Sequence, residues 1–165
     1  MLNSKYLVSL LAGAFVVSQV HLIWMLAPLE PNLLVLQLAF SAEDYWRILG
    51  LWGTSGVAIY RAHFAWDAIH PFIYGALGYF LVANTRLFAA TRPGLRRTML
   101  FALPLAGALD LVENTAQLFL LAQPPGTAAA VVALSASCSA LKWGLAAFFA
   151  AGVGWCWWTC LREPS

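Results

Sequence analysis

Four long apolar stretches alternate with short polar breaks along the chain. The first runs from about 6 to 27 and stops at Pro28 and Pro31. The second covers about 57–84, the third about 99–122, ending at Pro124-Pro125-Gly126, and the fourth about 128–158. Each reaches the roughly 20 apolar residues that a helix needs to cross a bilayer. The first is longer than the core of a secretory leader and has no small-residue cleavage site after it, so an uncleaved span is expected. The pattern predicts an all-α fold, an integral membrane four-helix bundle in a single domain over 1–165.

Only the connection between the first two spans is long. Within it Ser41 precedes Asp44 by three positions, a variant of the capping box. Phe40, Tyr45, Trp46, Leu49 and Trp52 then alternate with Glu43, Asp44 and Arg47. This predicts a short amphipathic helix over about 41–49, lying in the interface between spans one and two. Leu33 to Leu36 are apolar but too few to span.

Composition narrows the class. Apolar residues make up 62% of the 165 and charged residues 10%, against about 25% charged in soluble domains. A water-facing surface cannot be covered with so few charges, and a disordered chain would be polar. The net charge of +2 forms no basic face with interleaved aromatics, so no nucleic-acid partner is expected. Three scattered cysteines exclude a disulfide framework. Arg86, Arg92, Arg96 and Arg97 crowd the connection between spans two and three, Lys5 precedes span one and Arg162 follows span four. The positive-inside rule then predicts a multi-pass protein of the cell's inner (plasma) membrane with both termini cytoplasmic.

Ionisable residues inside the spans supply the candidate chemistry, because such groups are costly in lipid and mark functional interiors. Tyr60, His63, Asp67, His70 and Tyr74 form one helical stripe of span two, with Arg61 beside it. Asp110, Glu113, Asn114 and Gln117 form another in span three, and Ser135, Cys138, Ser139 and Lys142 a third in span four. Counted from the outer end of each span, His21 lies about 6 residues in, Glu113 about 9, Asp67 about 10, Asp110 about 12 and Lys142 about 14. These depths agree, so one pocket in the outer half of the bilayer is expected.

Three acids face two cations there, Arg61 and Lys142. Asp110 and Glu113, one turn apart, form a natural proton-sharing pair with Asn114 as donor. Catalytic roles fall to Asp67, Asp110 and Glu113, and substrate binding to Tyr60, Arg61, Tyr74, Asn114, Lys142 and Trp143. Gln19, Gln117 and the serines read as interhelical hydrogen-bonding groups, and Trp52, Trp66 and Trp143 equally as anchors. The Glu-x-x-His pairs of di-metal bundles are missing on two helices, so no metal is expected and no cofactor is called for.

From about Tyr45 to Trp143 the chain resembles a family of small, uncharacterised bacterial four-span membrane proteins. The likeness rests on Tyr60-Arg61, Asp67 with Pro71 and Tyr74, Asp110-x-x-Glu113-Asn114, and Lys142-Trp143; His70 departs from it, standing where an aromatic is expected. In architecture alone the chain is also similar to small membrane enzymes that isomerise, cyclise or open epoxides of sterols and terpenoids. The resulting expectation is an enzyme using intramembrane carboxyls for acid–base chemistry on a lipophilic, terpenoid-like substrate. Two further classes stay open. One is a proton- or ion-coupled transporter or channel, which lacks an inverted repeat unless two copies assemble as a homo-oligomer. The other is a non-catalytic subunit that binds membrane lipid.

Overall fold

A computed structural model describes residues 4–89 and 91–162, apart from the side chains of Ser4, Lys5 and Leu161. The Lys5 side chain and both chain ends therefore lie outside the described residues. Six α-helices account for nearly all of it: α1 Ser4–Leu26, α2 Leu33–Gln37, α3 Ala42–Asp67, α4 His70–Asn84, α5 Pro93–Leu120 and α6 Ala129–Arg162, with one 3₁₀ turn at Arg86–Phe88. Two stretches, Tyr6–Leu26 and Ala129–Cys160, are long and apolar enough to cross a membrane.

The second apolar stretch is not one helix. Its first part continues from the amphipathic segment as α3, and the chain breaks after Asp67 before resuming as α4. Pro71 explains the break. It has no N–H to donate to the Asp67 carbonyl four residues earlier, and its ring crowds that carbonyl. As the second residue of α4, it sits where a missing N–H costs nothing. The third stretch differs at its start: α5 begins at Pro93, so Arg96 and Arg97 are helical rather than part of a loop.

The amphipathic segment starts as its sequence pattern dictates. Ser41 Oγ accepts from the Asp44 N–H at 3.1 Å and donates to Asp44 Oδ2 at 2.8 Å. Hydrogen bonds from Arg47 and Ser41 hold the exposed Asp44 carboxyl below the usual carboxylate range. The helix does not stop near residue 49. It turns sharply at Gly53, whose φ of 60° and ψ of −169° belong to a region essentially reserved for glycine. That turn folds residues 29–52 over one end of the bundle.

There Leu29, Leu36, Tyr45, Ile48 and Trp52 pack on Tyr60, Phe64, Leu120 and Val132 as one apolar core. Trp52 Nε1 donates to the Pro31 carbonyl at 2.7 Å, and Trp46 Nε1 donates to the Thr127 carbonyl at 3.1 Å. A second apolar core of Val82, Phe88, Met99, Ala102, Phe149 and Cys156 closes the opposite end. The buried polar residues of α5 and α6, from Asp110 to Gln117 and from Ser135 to Lys142, lie between these two cores.

α4 and α5 approach closely. A Cβ built on Gly107 would stand 2.9 Å from the Pro71 carbonyl oxygen. Gly107→Ala is therefore expected to push α4 from α5 and destabilise by about 1–3 kcal/mol, the range for overpacking. Thermal unfolding in detergent measures this, and an unchanged midpoint would show that the contact is not tight.

Candidate functional site

Between the two apolar cores, α5 and α6 bring Asp110, Glu113 and Lys142 into direct contact. Lys142 Nζ donates to Asp110 Oδ1 at 2.5 Å and lies 2.7 Å from Glu113 Oε2. Burial is nearly complete, with Lys142 8%, Asp110 4% and Glu113 1% exposed. One turn of helix separates Asp110 from Glu113, so both carboxyls meet one ammonium from the facing helix. The two ion contacts are unequal. Glu113 Oε2 lies close to Nζ yet has no aligned hydrogen bond, so it gains charge attraction while its acceptor capacity stays incompletely used.

α4 adds Tyr74, whose hydroxyl donates to Asp110 Oδ2 at 3.0 Å. Both oxygens of Asp110 are thus engaged, one by a cation and one by a phenol. α3 adds Asp67 at its last position, where Asn114 Nδ2 donates to Asp67 Oδ2 at 2.8 Å. Asn114 is consequently the partner of Asp67 and not the expected donor to the Asp110–Glu113 pair. His63 Nε2 stands 4.0 Å from the same Asp67 oxygen, beyond hydrogen-bond reach. Its Nδ1 contacts the Tyr60 carbonyl, and its ring stacks on Tyr60 at 4.9 Å.

Two of the nine candidate residues lie elsewhere. Arg61 is exposed and donates from Nη2 to the Leu121 carbonyl at 3.2 Å, satisfying a carbonyl left free at the end of α5. It does not pair with Asp67. Trp143 is 47% exposed and donates from Nε1 to Gln37 Oε1 of α2 at 3.1 Å, which pins residues 29–52, the lid over one end of the bundle, to α6. Tyr60 is buried among Trp52, His63 and Phe64, where the lid meets the polar layer. Among the described residues the cation balance therefore shrinks from two to one: Lys142 pairs with Asp110 and Glu113, and Asp67 has no lysine or arginine partner.

Several partners were not legible as such. His70 shares a hydrogen bond with Ser18 Oγ through Nδ1 at 2.9 Å and stacks on Phe15 at 5.6 Å, tying α1 to the start of α4. Its ring also meets Tyr74 edge-on at 5.3 Å. His21 stands apart from the cluster, edge-on to Trp66 at 4.7 Å. Tyr45 donates to Gln117 Oε1 at 2.8 Å, and Gln117 Nε2 donates to Ser135 Oγ at 2.7 Å. This buried relay bolts the lid to α5 and α6, in keeping with an interhelical role for Gln117 and Ser135.

Chemically the arrangement is an acid–base cluster. Among the described residues no three His, Cys, Asp or Glu side chains are grouped to hold a metal, and the Lys142 ammonium occupies the position between two carboxyls that a bound cation would take. Comparison with protein-family models, with curated proteins and with solved structures finds no match. Fold and site together define an all-helical protein with a buried carboxyl–ammonium centre.

Proposed function

We propose that the chain is an integral membrane enzyme that carries out acid–base chemistry on a lipophilic substrate within its bundle. The observation that carries this reading is the Asp110–Lys142–Glu113 contact, an ammonium held between two almost fully buried carboxyls. Structural polar contacts between helices are met by amides and hydroxyls, as at Gln117 and Ser135. Three ionisable groups in one buried contact carry a desolvation cost that function explains and packing does not.

In this reading α1, the α3–α4 pair, α5 and α6 cross the bilayer, with the Arg86–Arg97 end and both termini at the cytoplasmic face. The broken helix at Asp67–Pro71 is compatible with such a span, since its exposed turn keeps its N–H groups bonded internally, Ala68 to the Phe64 carbonyl at 2.9 Å and Ile69 to the Trp66 carbonyl at 3.1 Å. The exposed apolar side chains of α1, among them Val17, Ile23 and Trp24, then face lipid. The resemblance to small bacterial four-span proteins belongs to this proposal and rests on the same residues.

The mechanism assigns a proton to the Asp110–Lys142–Glu113 centre. Asp110 and Glu113 share that proton. Glu113, whose Oε2 has acceptor capacity to spare, exchanges it with the substrate, and Lys142 balances the charge. Asp67, fixed by Asn114, acts as the second carboxyl, accepting a proton or directing water. Isomerisation, cyclisation and epoxide opening all fit this scheme of one donor and one acceptor. Lipids extracted with the purified protein provide the test. An Asp110→Asn variant is expected to accumulate a bound lipid that the active protein converts and releases. Identical lipid extracts from both proteins would instead favour a proton relay in a transporter, the second use of such a buried chain of acids.

A further inference from the structure

A different site lies at the end of the bundle opposite the lid. A cavity of about 510 Å³ opens between the end of α4, the 3₁₀ turn and the start of α5, lined by Thr85, Arg86, Thr91, Arg96, Arg97 and Leu100 among others. Its volume falls within the range of small-ligand sites. Among the described residues no acidic side chain lines it, and neither Arg86 nor Arg97 makes an ion pair. Arg96 donates from Nη2 to the Val82 carbonyl at 3.2 Å, which fixes its guanidinium while leaving its other donors free. The first turn of the 28-residue α5 also faces this cavity through Pro93, and no side chain caps it. Its amide end therefore adds positive potential to the three guanidiniums.

We propose that this cavity binds a phosphate ester, with Arg86, Arg96 and Arg97 as its ligands and the Thr91 hydroxyl, whose other neighbour is Cys156 Sγ at 3.4 Å, as a further donor. Guanidinium forks match phosphate oxygens in pairs, a geometry that neither lysine nor a diffuse charge reproduces. A lipid headgroup fits the surroundings better than a soluble phosphate. Phe101 follows Arg97 by one turn on the same face of α5, is half exposed, and meets Tyr79 of α4 at 6.5 Å. An acyl chain descending from a headgroup at Arg97 would run along these rings. This site is independent of the carboxyl cluster, and neither proposal depends on the other.

Thermal unfolding of the full-length protein in neutral maltoside micelles tests it, with added phosphatidic acid, phosphatidylcholine, oleate or inorganic phosphate. Phosphatidic acid is expected to raise the melting midpoint saturably, with phosphatidylcholine and oleate weaker. If inorganic phosphate also raises it, the phosphate group alone suffices; if it does not, the lipid is the source. The double variant Arg86→Gln/Arg97→Gln should melt like the original protein without lipid and bind phosphatidic acid at least tenfold more weakly, about the value of one charged hydrogen bond. Arg86→Lys/Arg97→Lys keeps the charge and removes the forks, so it too should lose affinity, and it decides the matter if the Gln variant fails to fold. The proposal is overturned if phosphatidic acid and phosphate leave the midpoint unmoved, if oleate matches phosphatidic acid, or if the lysine variant binds like the original.

Discussion

Replacing Lys142 by methionine is expected to destabilise the protein by about 3–5 kcal/mol, the cost of leaving a buried partner charge uncompensated. Methionine preserves the apolar stem and removes only the ammonium. Asp110 Oδ1 and Glu113 Oε2 then face each other's helix turn without the cation now 2.5 and 2.7 Å away. The tyrosine hydroxyl on Asp110 Oδ2 cannot replace a charge. Adding Asp110→Asn and Glu113→Gln to Lys142→Met removes the stranded carboxylates as well, so the triple variant should be more stable than the sum of single effects allows. Chemical unfolding in detergent reads these differences. Strict additivity across the set would mean that the three groups do not act as one centre.

Turnover should fall by about 100-fold or more when either Asp110 becomes asparagine or Glu113 becomes glutamine, the range for loss of general acid–base catalysis. Both changes retain shape and hydrogen bonding while removing a titratable proton, and Lys142 keeps one carboxylate partner in each. Folding is therefore expected to survive where Lys142→Met strains it. The assay follows conversion of the lipid identified in the Asp110→Asn extract. Asp67→Asn separates two roles. A comparable loss makes Asp67 a reacting carboxyl, whereas a small loss makes it a group that positions Asn114 and α3. Unchanged turnover in well-folded Asp110→Asn and Glu113→Gln would remove both residues from the chemistry and shift the reading to the transporter class.

How much was legible depended on range. The amphipathic start at Ser41, the helical character of the four apolar stretches and the shared stripe of Asp110, Glu113 and Asn114 all follow from spacings of three or four residues. Such patterns act within one turn, and the structure contains each of them. A break at Pro71 was also legible, because proline acts four residues upstream of itself, but that α3 ends at Asp67 was not, within a run that otherwise reads as one span. The turn at Gly53 was hidden because glycine permits a positive φ without requiring it.

Partner choice was hidden for another reason. Arg61 is one residue from Tyr60 in the chain, yet one residue along a helix rotates a side chain by about 100°. It therefore points out to the Leu121 carbonyl while Tyr60 faces the core. Asn114 follows Glu113 by the same step, which aims it at Asp67 on α3 instead of at its neighbour's ammonium.

By itself the sequence determined that this chain forms apolar helices, where an amphipathic segment interrupts them, and that acids and a lysine must share a common depth. Hydrophobic periodicity and the cost of isolated charges in an apolar setting suffice for that. Only the tertiary structure decided which acids the lysine joins, that Arg61 stands outside, and that the lid is fastened through Tyr45, Gln117 and Ser135. Those outcomes depend on how four helices rotate and cross, a choice fixed by close contacts such as Gly107 against Pro71. The pattern within a single helix holds no information about its neighbour's rotation.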